Sequence, residues 1–227
     1  MLGNCKGLAN YLNLSEDYTN LAIAIGYFHD IGRFEQIRIA NTFSDKESKI
    51  NHSEMSVKVL FENNYIRKFI KDSCYDQIIK LAILNHNKSS YDIGFDNLSE
   101  KEALFTKIIR DADKLDIFYT ITDPNRSMES IFWYSDWDTK EINKDIIKFF
   151  ETNHYIDYSQ INNNADVITT YYAYIFDLYF PITLQLIKEH KYLDILTQRI
   201  CNKFTSPIVH EQTKQLLEIC HKYFTKK

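Results

Sequence analysis

Five glycines and three prolines are spread over 227 residues, too little turn punctuation for a many-stranded sheet, so the chain is expected to be all-α. Apolar spacing agrees. Met1 to Leu14 reads as a helix that begins without a cap. Ser15 caps the next, with Glu16 and Asp17 in its first turn. That second helix runs through Leu21, Ala22, Ile23, Ala24, Ile25, Tyr27 and Phe28 into His29-Asp30-Ile31-Gly32-Arg33. Gly32 suits the left-handed position that closes a helix.

Further along, Phe34 to Ile39 adds one or two turns, and the polar stretch Asn41 to Asn51 reads as loop. Asn51 or Ser53 starts a helix carrying Met55, Val59 and Leu60 inward, and Tyr75 to Lys88 is a clearer helix. Ser99 and Glu102 form a capping box that opens another, through Ile109, Ala112 and Asp116. Ile131 to Asp138, with Trp133 and Trp137, is either helix or lid. Glu141 to Glu151 is amphipathic helix, and Tyr155 to Asn164 suits a loop. Ala165 to His190 reads as one long aromatic helix kinked near Pro181, followed by helices over Ile187 to Phe204 and Val209 to Phe224. No repeat or linker separates the halves. The expected layout is one helical domain over 1–123, with a helical extension over 124–227 packed on it.

Composition narrows the function. A net charge of −4 argues against a broad nucleic-acid-binding face. The longest apolar run, Leu21 to Phe28, is too short to span a bilayer, and no signal peptide opens the chain. Cys5, Cys74, Cys201 and Cys220 are scattered without a Cys-x-x-Cys pair, which suits reduced thiols in the cytoplasm. The aromatic C-terminal helices suit either core or a homodimer face.

Chemistry-bearing residues fall on apolar helix faces and helix ends. Burying the charged His29-Asp30 pair is costly unless a cation or partner compensates. His52 sits at a helix N-terminus, and His86 shares the face of Ala82 and Ile83. Asp113 follows Ile109 on a core-facing stripe, where acidic residues rarely stay unpaired. Asp111 points away from Asp113 and is expected to be exposed or in a supporting role. Each residue alone also reads as an ordinary core histidine or solvated acid. Imidazole and carboxylate together suit manganese, iron, nickel, cobalt or zinc better than magnesium.

The order His-Asp, His, His, Asp, within Phe-His-Asp-Ile-Gly-Arg and Asp-Ala-Asp-Lys-Leu-Asp, resembles the HD-domain metal-dependent phosphohydrolases over Leu14 to Phe118. The resemblance implies a helical bundle holding one or two divalent metal ions through His29, Asp30, His52, His86 and Asp113. Asp30 would bridge two ions, His29 and Asp113 completing one set and His52 and His86 the other. Asp30, Arg33 and Lys114 would serve catalysis, the last two as phosphate contacts. Glu35 and Asp116 are further candidates for acid–base or supporting roles.

The implied activity is hydrolysis of a phosphate ester, mono- or diester, by metal-activated water. The substrate class is a small phosphorylated molecule such as a nucleotide. The Gly-Tyr-Pro signature of the cyclic dinucleotide members is absent. Members of the family usually carry another metal-binding histidine on the preceding helix, and no histidine precedes His29. Two expectations follow: Met1 is an internal methionine of a longer reading frame, or the chain is a catalytically impaired module that binds a nucleotide or metal for regulation.

Overall fold

In the computed structural model, which describes residues 1–132, 134–135, 137–153 and 156–225, the described residues form twelve α-helices and several 3-10 turns, with no strand. The all-α expectation holds. Two compact units divide the chain, Met1–Asp113 and Lys114–Lys227. The first carries α1 (Leu2–Tyr11), α2 (Glu16–Phe28), α3 (Gly32–Ala40), α4 (Asp45–Ser48), α5 (His52–Phe61), α6 (Asp76–Asn85) and the larger part of α7 (Glu100–Thr122). The division falls inside α7, whereas the sequence puts a boundary after that helix, at residue 123.

In the first unit, local chemistry sets the helix starts. Ser15 Oγ accepts the N–H of Tyr18 at the head of α2. At α7 the capping box is closed in both directions: Glu102 N–H donates to Ser99 Oγ, and Ser99 N–H to Glu102 Oε2 at 2.7 Å. Asn51 caps α5 through its side-chain oxygen, which accepts the N–H groups of Ser53 and Glu54. The polar stretch expected as loop contains α4, started by Ser44. Packing joins α1 to α2, α2 to α6, and α5 to both α3 and α6. Leu8, Ile25, Leu60, Ile79, Ile83 and Phe105 are buried among them.

The second unit carries α8 (Lys144–Asn153), α9 (Asn164–Ala173), α10 (Pro181–Glu189), α11 (Tyr192–Lys203) and α12 (Pro207–Phe224). The long helix expected over Ala165 to His190 is two helices. A 3-10 turn, Tyr174–Asp177, and extended residues follow α9, and Pro181 then opens α10 at its first turn, where its missing N–H costs nothing. Lys191, with φ +52°, separates α10 from α11.

Between Ile131 and Asp138 the described residues form no α-helix, and Trp133 lies outside them. Trp137 packs on Phe132 and Phe204, with ring centroids 5.1 and 5.3 Å away. Trp137 thus packs, partly buried, against the core of the second unit. No helix among the described residues is long and apolar enough to cross a membrane.

Candidate metal centre

The first unit brings its metal-capable residues together by joining helix ends. His29 caps α2 and Asp30 follows in the turn before α3, as the apolar run into His-Asp requires. Gly32 does not take the expected left-handed position; it opens α3, and the left-handed φ that closes α3 belongs to Asn41. Its lack of a side chain serves a long-range contact instead. A Cβ on Gly32 would lie 2.3 Å from the backbone N of Ser56 and 2.6 Å from the carbonyl O of His52. The Gly32 N–H donates to Ser56 Oγ at 2.9 Å, and the Ser56 hydroxyl donates to His52 O at 2.9 Å. The start of α3 therefore rests on the first turn of α5, which brings His52 to the His29-Asp30 turn.

Each histidine is then oriented through its Nδ1. His29 Nδ1 meets Gly26 O at 2.9 Å, His86 Nδ1 meets Ile83 O at 2.7 Å, and His52 Nδ1 meets Asp45 Oδ2 at 2.7 Å. Carbonyl and carboxylate oxygens only accept, so Nδ1 carries the proton and, in each neutral ring, Nε2 keeps its lone pair. Asp45 is held in turn by buried Gln36, whose amide donates to Asp45 Oδ1 at 2.8 Å, to Ser48 Oγ and to Ile50 O. Arg110, fully buried on α7, donates from Nη1 to Asn85 O, His86 O and Lys88 O at 2.6, 3.1 and 2.6 Å. It fixes the end of α6 that carries His86, a cation where the helix dipole favours one.

The open nitrogens converge. His52 Nε2 and His86 Nε2 are 3.1 Å apart, and both face Asp30 Oδ1, at 3.4 and 3.5 Å. His29 Nε2 lies 3.6 Å from Asp113 Oδ1 and 3.7 Å from Asp30 Oδ2. Two groups have ligand atoms within 4.8 Å of one another: His29, His86 and Asp113, and Asp30, His52 and His86. Their common member is His86 rather than Asp30, yet His86 has only one nitrogen to give. Asp30 has two oxygens on different sides, which is what a bridging carboxylate requires.

The donor set fits a divalent cation. Asp30 Oδ1 is a buried carboxylate oxygen with no hydrogen-bond partner, and the imidazole nitrogens beside it have no proton to share when neutral. Electrostatics agree. Burial disfavours charge on His29, but the hydrogen bond and charge of Asp113, with the charge of Asp30, outweigh it and raise its pKa. That position favours a positive charge, whether a proton or a metal ion. Burial also works against ionised Asp30 and Asp113; the His29 ring beside both, and the Arg33 guanidinium beside Asp30, nevertheless hold both carboxyls low. His86 is lowered, chiefly by burial, and so stays neutral and able to coordinate.

Arg33 also belongs to this cluster: Nε lies 3.1 Å from Asp30 Oδ2, and Nη2 lies 3.3 Å from His52 Nε2. Lys114, in the second unit, is buried with Nζ 3.1 Å from Asp177 Oδ2. Glu35 pairs with Arg38, and Asp116 is partly exposed. Asp111 is fully buried, not exposed. Sequence reasoning missed Asp45, Gln36, Ser56 and Arg110, none of which lies in a metal-ligand motif.

A family model, described as HD domain, matches residues 2–117. That stretch contains all five converging residues. No curated protein and no solved structure gives a significant match.

Proposed function

The chain belongs to the HD-domain family, and from that premise we propose that it is a metal-dependent phosphohydrolase cleaving a phosphate ester of a nucleotide or related small molecule. The observation that carries the reading is the convergence of His52 and His86 Nε2 on the buried, unpartnered Asp30 Oδ1, with His29 Nε2 facing the other Asp30 oxygen and Asp113. His29, His86 and Asp113 would hold one ion, Asp30 and His52 a second, with Asp30 bridging. Such mixed nitrogen and oxygen ligation favours manganese, iron, cobalt, nickel or zinc over magnesium.

When bound, the ions supply Lewis acidity, making a water more acidic and drawing charge from phosphoryl oxygens. The chain supplies the rest. Gly26, Ile83 and Asp45 fix the ring orientations of His29, His86 and His52, so the ligands need no rearrangement during reaction. Arg33, partly exposed beside Asp30, is favoured over buried Lys114 as the group that meets a phosphoryl oxygen. The four cysteines form no disulfide, which suits a reducing, cytoplasmic setting.

The test is phosphate release from a panel of nucleotides and simple phosphate esters with added manganese, comparing the wild type with Asp30→Ala. Release that needs both manganese and Asp30 is expected. A metal-loaded protein that releases nothing, yet is thermally stabilised by one member of the panel, would favour the second reading, a binding module.

A further inference from the structure

Arg33 makes contacts that a phosphate-binding arginine does not need. Its guanidinium touches the carboxylate of Asp30 through Nε and the ring of His52 through Nη2, while Nη1 donates to Phe43 O at 2.9 Å and lies 3.6 Å from Asp45 Oδ1. We propose that Arg33 is the resident cation of the Asp30–His52–His86 group: a divalent ion enters that group only by displacing the guanidinium, whereas the His29–His86–Asp113 group fills without moving it. The inference rests on the metal-binding reading above and adds an order and a competitor to it.

The argument is one of valence. His52 Nδ1 is committed to Asp45, so Nε2 has the one lone pair through which His52 can ligate anything. Arg33 Nη2 occupies that lone pair from 3.3 Å, and a guanidinium stays protonated at any ordinary pH. One lone pair cannot serve an N–H donor and a metal ion together. Arg33 Nε meanwhile lies on Asp30 Oδ2 and neutralises the carboxylate that an ion would otherwise draw upon. A dication placed between these groups would also sit against a fixed positive charge.

Among the described residues no such competitor is paired with the ligand atoms of the other group. His29 Nε2 faces Asp113 and Asp30 carboxylate oxygens, and neither His29 nor Asp113 contacts Arg33. Displacement is also feasible in structural terms. The Arg33 side chain is 30% exposed, and Phe43 O and Asp45 give Nη1 acceptors outside the metal-ligand set. Once displaced, the guanidinium stays on the residue after Gly32, beside the centre, where it is available for a phosphoryl oxygen. Filling the second position and freeing the phosphate contact would then be one event.

The experiment counts manganese bound to the full chain after equilibrium dialysis and follows binding by calorimetry, for the wild type, Arg33→Gln and Arg33→Lys. The wild type is expected to bind one ion tightly and a second weakly. Arg33→Gln removes the competing charge and should tighten the second ion by about tenfold or more, leaving the first unchanged. Arg33→Lys keeps the charge but loses the fork that reaches Asp30 and His52 together, and should tighten the second ion by about threefold. It carries the test if the glutamine variant loses its cooperative melt.

A second-ion affinity that is unchanged or weaker in a folded variant overturns the assignment of Arg33 and leaves the metal reading standing. Failure of every protein, wild type included, to bind any ion overturns both.

Discussion

The Nε2 atoms of His52 and His86 lie 3.1 Å apart, each on a ring whose Nδ1 is hydrogen-bonded to an acceptor. In neutral rings that leaves two lone pairs pointing at one spot, beside the unpartnered Asp30 Oδ1. Two imidazole nitrogens and a carboxylate oxygen this close repel one another unless positive charge sits beside them, as the Arg33 guanidinium does against His52 Nε2 at 3.3 Å. A cation shared among them turns the repulsion into attraction.

Metal should therefore stabilise the fold. Manganese at a hundredfold excess over its dissociation constant contributes about 2.7 kcal/mol, which in a chain of this size raises the melting midpoint by about 5–10 °C. A chelator should reverse the shift, and His86→Ala, which removes the nitrogen common to both groups, should abolish most of it. Thermal melts with manganese, cobalt or zinc, with and without chelator, are the measurement. A midpoint indifferent to all of them would sink the metal reading.

Gly32→Ala should be severe for a reason remote from helix propensity. The added methyl meets backbone atoms of α5 at 2.3 and 2.6 Å, and backbone cannot rotate out of the way. A cost of about 3 kcal/mol or more is expected from overpacking of this kind, together with weaker metal binding as α5 and His52 are pushed off. Gly7→Ala, with open space around it in α1, should by contrast be neutral or stabilising by about 0.5–1 kcal/mol. Urea unfolding of the two variants separates these outcomes.

The contrast at Gly32 explains what could be read in advance. Helix starts at Ser15 and Ser99 were legible because a cap is local: the side chain and the N–H it accepts lie within three residues. The residues that converge were legible as candidates because His-Asp, His, His and Asp fall on apolar helix faces and ends. The reason for Gly32 was not, since a glycine after His-Asp-Ile suits a helix C-cap equally well until α5 is known to press against it. Asp45 and Gln36 were hidden in the same way: one lay in a stretch read as loop, the other on a short polar helix, and only the fold joins them to His52. The break of the C-terminal aromatic helix was half legible, because Pro181 marks an interruption without saying whether it kinks a helix or starts one.

Arg110 should prove to be a positioning residue for His86. Arg110→Met keeps much of the side-chain length but leaves three carbonyls at the end of α6 without their donor. Loss of hydrogen bonds from a charged donor in a buried setting is expected to cost about 2–3 kcal/mol. A simple packing role would lower stability alone. Positioning also predicts weaker binding of the ion that His86 would hold with His29 and Asp113. Calorimetric manganese titration beside urea unfolding distinguishes the two.

Asp45→Ala should separate metal affinity from stability in the other direction. The carboxylate is about one-third exposed, so removing it empties little core, yet it is the acceptor that holds the proton of His52 on Nδ1 and aims Nε2 at the cluster. Without that acceptor the ring can turn or take the other tautomer, and outer partners of this kind are worth about 10–100-fold in metal affinity. The loss should fall on the ion held by Asp30 and His52, leaving the one held by His29 and Asp113 nearly unchanged. Asp45→Asn can still accept through its amide oxygen and should lie between alanine and wild type. Equal affinity for both ions in all three proteins would mean that Asp45 does not orient His52 in solution.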